Sequence, residues 1–304
     1  MRLAYPIFDA HCDSAVKRSL DGEENQFRCS DMLCFPAYLQ VFAVCAEGKA
    51  NAFSFTEETI LRLLRSLRKN DITVVKGRQE IFDTQRGAIL AIEGADALHG
   101  SLAALRHFYR RGVRVLTLTW NNDNDAASSV TAVQDNGLKP FGRRLIRECE
   151  ALGITVDLSH ISDKAFFEAA NHSRRRVICS HSNSRTVCPD FKRNITDSQF
   201  KTLIKLRGVA GINLCADFCG LGRDMRAVTA HIEHFCALGG EKNIGIGTDF
   251  DGVSELPKGC DGARWLHELF EALLRLNYPE KTVRAIAFKN FYELFYENMK
   301  KSIA

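Results

Sequence analysis

Eight short apolar, β-rich runs, most of them followed by a longer stretch of helical periodicity, divide the chain from end to end, and this alternation restricts its fold more than any other feature. The runs cover residues 6–13, 37–46, 87–94, 113–120, 153–160, 176–181, 208–214 and 243–249, with helix-like stretches at 57–70, 101–111, 142–152, 163–171, 198–206 and 228–238. Ser162-Asp163 and Thr196-Asp197 supply caps at two helix starts. Strands alternating with helices in this way feed a parallel sheet. A length of 304 residues suits one (β/α)8 TIM-type barrel of roughly 250 residues with modest insertions better than two domains. The expectation is a single α/β domain over 1–304, ending in closing helices over about 261–304.

Many of the runs are apolar and then end in a residue capable of chemistry: His11 and Asp13, Glu93, Trp120, His160, His181 and Asp249. In an eight-stranded α/β barrel the strand ends converge on one face, so residues far apart in sequence can build one site there. Histidine and carboxylate are ligand types that Zn2+ accepts. His11-x-Asp13 puts two of them on one face of a strand, because side chains alternate with period two. Nine histidines and 37 carboxylates produce about one H-x-D/E by chance. His231-x-Glu233 is that chance pair, set in a helical stretch where i and i+2 do not face each other. His160 and His181, closing successive runs, together with Glu93 in AIEGAD, make five ligand-type residues. These can hold two metals if one carboxylate bridges, and Glu93 is the natural bridge because a carboxylate has two oxygens. A two-metal site polarises a carbonyl and generates hydroxide near neutral pH. Asp249, in the glycine-flanked GIGTDFDGV, is the expected proton-handling base, with Asp251 its rival.

Composition narrows the class. A formal charge of +4, with basic residues scattered over helices, argues against nucleic acid; the run Arg174 to Arg176 is expected to be a solvated loop. No apolar stretch approaches the ~18 residues that span a bilayer. Eleven cysteines without a C-x-x-C pair point to a reducing, cytoplasmic setting, and the N-terminal MRLAYPIFDAHCD has no apolar leader core.

DAHCD, AIEGAD, LTLTW, VDLSHIS, SHSNSR, RNITD and GTDFDGV, in this order and with near-family spacing over nearly the whole chain, resemble the membrane (renal) dipeptidase family, a branch of the metal-dependent amidohydrolase barrels. The resemblance implies a dipeptide substrate and two Zn2+ per chain on His11, Asp13, Glu93, His160 and His181, with Glu93 bridging and Asp249 as catalytic acid/base. It also implies that Arg193 grips the substrate's terminal carboxylate, a role that suits its bidentate fork; the loop before it is one residue longer than the common form, which leaves Lys192 as a rival. Where the renal enzymes resemble LTLTH, this chain has Trp120, whose indole donates but cannot titrate, leaving Asn121 or the metals to stabilise the oxyanion. The lipid-anchored character of the renal enzymes is not expected here, for want of a leader or hydrophobic tail; a homodimer stays open. The alternatives are another metal-dependent hydrolase acting on a lactam, lactone or phosphoester, and a non-catalytic binding barrel in which Trp120 marks a decayed site.

Overall fold

Each strand run builds a short parallel strand, and together they close on themselves. The computed structural model describes residues 5–300. Strands β1 (Ile7–Cys12), β2 (Tyr38–Cys45), β3 (Thr73–Val74), β4 (Arg86–Glu93), β5 (Val113–Thr117), β6 (Thr155–Asp157), β7 (Ile178–Cys179), β8 (Val209–Ile212) and β9 (Ile244–Ile246) pair in the order β2-β1-β9-β8-β7-β6-β5-β4-β3. A further pairing of β2 with β4, in register from Tyr38↔Arg86 to Cys45↔Glu93, completes the ring. Eight strands therefore form a closed parallel barrel, and helices between them pack outside it: a (β/α)8 TIM-type fold. β3 lies beside the start of β4 alone, and its two residues are too few to register as a strand in the sequence.

The helices follow from local chemistry. In Ala52–Lys69, Ile60, Leu63 and Leu67 recur at helical spacing and turn one face to the core. Its start is fixed by the Asn51 side chain, which accepts from the Ser54 N–H. Ser162 caps Asp163–His172, and Thr196 forms a reciprocal capping box with Gln199 at the head of Asp197–Lys205. The expected closing helices are present as Trp265–Arg275 and as a second helical stretch from Glu280 to Asn298, interrupted by a π turn at Ala285–Lys289; residues 301–304 of that expectation lie outside the described part. The Arg174 to Arg176 run is the expected loop, with Arg174 and Arg175 exposed and Arg176 half-buried. Arg175 and Arg176 reach the C-terminal helix, donating to the Asn298 carbonyl and pairing with Glu297.

That last helix plugs the barrel's lower end. Phe8 of β1 stacks on Phe291 (centroids 5.7 Å) and tilts against Phe295 (4.9 Å), in a cluster with Leu39, Val41, Ile89, Ile178 and Val209. With the bottom filled by rings, polar side chains are left to gather at the top. Phe295 is wholly buried, so Phe295→Ala is expected to cost about 3–5 kcal/mol of unfolding free energy, read as a lowered denaturant midpoint with an unchanged slope.

Candidate active site

Six of the residues singled out in the sequence come together at the top of the barrel. His11 sits in β1 and Asp13 directly after it, Glu93 ends β4, and His160, His181 and Asp249 follow β6, β7 and β9. A bulge in β1, where Asp9 faces Gln40 but Cys12 faces Phe42, bends the strand just at His11, as bulges beside active sites do. Several expected strands overran: 153–160, 176–181 and 243–249 stop pairing at Asp157, Cys179 and Ile246. The overrun residues are those that leave the ladder to enter the site. His160 (φ 64°) and Asp249 (φ 63°) both adopt the left-handed conformation, sparsely populated by such residues and concentrated at functional sites. Gly252 closes the loop over them: a Cβ there would fall 2.0 Å from Asp13 Oδ2 and 2.6 Å from Asp249 Oδ1.

The geometry centres on one oxygen. Glu93 Oε1 lies 3.6 Å from His11 Nε2, 3.2 Å from His160 Nε2 and 3.4 Å from His181 Nε2, and His11 Nε2 is 3.5 Å from Asp13 Oδ2. Ligand atoms within 4.8 Å of one another form the sets His11–Asp13–Glu93 and Glu93–His160–His181, sharing Glu93, and a third set of His11, His181 and Asp249. His11 Nε2 and Glu93 Oε1 are buried with no hydrogen-bond partner. Buried polar atoms are ordinarily paired, and two left open on facing side chains are what a cation between them would satisfy, so the donor set fits a metal centre.

Charge points the same way. Burial, followed by the nearby His11 and Arg193 charges, pushes His160 and His181 well below the usual imidazole range, leaving them neutral as ligation requires. Burial also pushes Glu93 well above the carboxylate range, against the pull of His11 and with Asp13 and Asp249 adding to it. For His11, burial opposes protonation, yet Glu93, Asp13 and Asp249 outweigh it and carry the pKa to about 10. Without a cation, the crowded carboxylates hold a proton on His11; a divalent ion would take over that charge balance.

A surrounding layer of polar side chains aims these groups. His181 Nδ1 lies 2.7 Å from Ser180 Oγ, whose hydroxyl donates to Asp157 Oδ2 at 2.6 Å, so His181 presents its Nε2 to the site. Asp157 is fully buried and also accepts from Thr117 Oγ1 and the N–H groups of Ser159 and Ser180. His160 Nδ1 meets Asn121 Oδ1 at 3.1 Å. The side-chain oxygen of Asn121, a residue expected to face substrate, is thus occupied in orienting a ligand. Asn213 Nδ2 donates to Asp249 Oδ2 at 2.9 Å, whereas the rival Asp251 accepts from Ser14 Oγ and the Gln26 N–H and pairs with Lys17, which commits it to loop structure. His231 is structural: Nδ1 accepts from the Ser184 N–H and Nε2 donates to the Cys219 carbonyl.

Above the cluster opens a cavity of about 1000 Å3 lined by Asp13, Glu93, Trp120, His160, Arg193 and Asp249, among others. Arg193 is 9% exposed; its terminal nitrogens donate to Ser182 Oγ and the His181 carbonyl, both at 2.8 Å, while Nε is buried and unpartnered. Lys192 lines the same cavity but stands exposed at its rim. The Trp120 ring lies 6.2 Å from that of His160. A second large cavity, between Thr73, Arg78 and Tyr296, brings together none of the metal-ligand sets of the described residues.

Comparison with known proteins adds three likenesses and a family. The family model described as Membrane dipeptidase (Peptidase family M19) matches residues 3–303. Dipeptidase 3 of Mus musculus is 30% identical over 293 residues, which are 93% of this chain and 59% of the mouse protein; the chain thus spans under two thirds of that relative's length. Among solved structures, the dipeptidase AC, described as a metallo peptidase, superposes with a TM-score of 0.87 at 25% identity, covering 97% of this chain and 99% of that one. A Rhodobacter sphaeroides metallo peptidase, liganded with a phosphinate mimic of the dipeptide L-Ala-D-Ala, shares the fold at TM-score 0.83 and 24% identity, over 97% and 99% of the two chains.

Proposed function

Because this chain belongs to the membrane dipeptidase family (peptidase family M19), we propose that it is a zinc-dependent dipeptidase, holding two ions on His11, Asp13, Glu93, His160 and His181 and accepting dipeptides with a C-terminal D-residue as well as the L form. The observation that carries this reading is the unpartnered Glu93 oxygen facing three imidazole nitrogens on the floor of a cavity that also holds a buried arginine. Bound there, the ions supply Lewis acidity toward the scissile carbonyl and lower the pKa of water. The chain's own residues do the rest. Arg193 binds the substrate's terminal carboxylate through its fork and open Nε, which restricts the enzyme to peptides that end within the cavity. Asp249 Oδ1, 3.8 Å from His11 Nε2, takes the proton of the attacking water and returns it to the leaving amine, while Asn213 holds Oδ2 and so fixes the carboxylate's direction. Trp120 walls the cavity beside His160.

The ligand of the Rhodobacter sphaeroides protein supports the stereochemical part of the proposal. Eleven unpaired cysteines support a reducing, cytoplasmic setting, and among the described residues no helix is long and apolar enough to cross a membrane. Metal analysis of the purified protein, followed by an L,L and L,D dipeptide panel with and without chelator, tests the reading. The expected result is about two zinc ions per chain and hydrolysis that chelator abolishes and zinc restores. Turnover indifferent to chelator, or a metal-loaded protein inert toward every dipeptide, would overturn it.

A further inference from the structure

Two phenylalanines stand in the wall of the site cavity on the side of Arg193. Phe191, from the loop after β7, and Phe218, from the short helix Ala216–Cys219 after β8, meet edge to face with centroids 5.3 Å apart, and both are half-buried. Their placement is built into the fold. Buried Asn194 donates its backbone N–H to the Phe191 carbonyl and its side-chain Nδ2 to the Phe218 carbonyl, each at 3.1 Å. Asn183, also buried, reaches the Phe218 carbonyl at 3.4 Å. The backbone and side-chain amides of Asn194, the residue that follows Arg193, therefore tie both aromatic segments together. The half-buried Cys215 adds a thiol to the same wall. The segments after β2 and β5 contribute Glu47, Lys49 and Asn121 together with the rings of Phe55 and Trp120, so the cavity is mixed in character and the Phe191–Phe218 pair is the aromatic patch that adjoins Arg193.

We propose that Phe191 and Phe218, with Cys215 beside them, form the pocket for the side chain of the substrate's C-terminal residue and select apolar, above all aromatic, side chains there. This rests on the dipeptidase reading, because a carboxylate seated on Arg193 places the side chain of the same residue against the β7–β8 wall. A benzyl group buried on that wall leaves water and gains edge-to-face contacts; a charged side chain laid on the two rings would give up hydration there, while Asp190 and Lys192 stand exposed at the rim.

Calorimetric titration of the metal-free protein, which cannot turn over substrate, with Ala-Gly, Ala-Phe and Ala-Glu tests the pocket. Ala-Phe is expected to bind about 30-fold more tightly than Ala-Gly, the fold-change that burying a phenyl side chain corresponds to, with Ala-Glu no tighter than Ala-Gly. The double variant Phe191→Ala/Phe218→Ala should bring the Ala-Phe to Ala-Gly ratio below about 3, and Phe191→Leu/Phe218→Leu should recover part of it, which a merely misfolded loop would not do. A ratio below about 3 in the unaltered protein, a ratio that survives the double alanine variant, a preference for Ala-Glu, or no binding at all would overturn the proposal. Turnover by the zinc-loaded protein is measured in parallel. The binding ratio without hydrolysis would sink the dipeptidase reading and leave the pocket standing; hydrolysis without the ratio would do the reverse.

Discussion

Glu93→Ala is expected to leave the protein with at most one metal ion per chain and to lower dipeptide turnover on the order of 1,000-fold, the effect of losing several kcal/mol of transition-state stabilisation. The reason is geometric. Glu93 belongs to two of the three ligand sets, and its Oε1 is the atom that approaches His11, His160 and His181 together. Without it, the set His11, His181 and Asp249 remains and can retain a single ion. Stability separates this loss from misfolding. In the metal-free protein the Glu93 carboxyl sits buried beside Asp13 and Asp249, an environment that pushes its pKa well up, so its charged form is disfavoured there and little ion-pair stabilisation is lost with it. The metal-free variant should therefore melt no lower than the metal-free parent, while the stabilisation that added zinc confers on the parent should be mostly lost. Metal content, thermal melting with and without zinc, and turnover check this together. Two ions per chain with near-normal turnover in Glu93→Ala would dismiss the shared-carboxylate site.

Much of the architecture was legible because periodicity is a local signal. Eight runs of apolar residues, bounded by caps such as Ser162 and Thr196, correspond to the eight barrel strands and their intervening helices. What eluded the sequence has physical causes. Thr73–Val74 is too short to carry a period, and the residues that end the expected strands at His160 and Asp249 look β-like by composition yet leave the ladder in the left-handed conformation. That departure follows from tertiary packing, including the close approach of Gly252 to Asp13 and Asp249, which no local pattern encodes. Within the site, residue types that bind metals or move protons stood out by chemistry alone, whereas Ser180, Asn213 and Asp157 are common residues whose meaning lies in which side chain they meet. Asp157 did carry a faint trace: a carboxylate in the middle of VDLSH is unexpected for a buried strand unless it is hydrogen-bonded. Asn121 adds a role that the sequence did not suggest: it lines the cavity, and the turn after β5 also directs its side-chain oxygen to His160.

Asp249→Asn should lower kcat by about 100-fold to 10,000-fold, the range that general acid–base catalysis contributes, while leaving metal content near that of the parent. The substitution is unusually clean at this position. Asp249 has a φ of 63°, and asparagine tolerates the left-handed conformation better than most residues, so the backbone has no reason to move. Asn213 Nδ2, which donates to Asp249 Oδ2, can donate equally to an amide oxygen. What disappears is the capacity to accept a proton and give it back. The pH profile supplies a second readout. Burial raises Asp249 to about 6, against the pull of His11; a raised carboxylate pKa means the base form is lost as pH falls through that value, and bound cations would draw it lower. The acid limb of kcat/KM in the parent is thus expected at or below about pH 6, and it should vanish from the residual activity of Asp249→Asn. The third ligand set, in which Asp249 stands with His11 and His181, provides the sharpest alternative. If Asp249 serves as a metal ligand instead of a proton carrier, the asparagine variant will lose an ion along with its activity, and excess zinc will restore part of the rate. Full metal content with the rate loss intact and zinc without effect would assign the proton to Asp249; the converse pattern would move it into the metal shell and leave the proton to another group at the same strand ends.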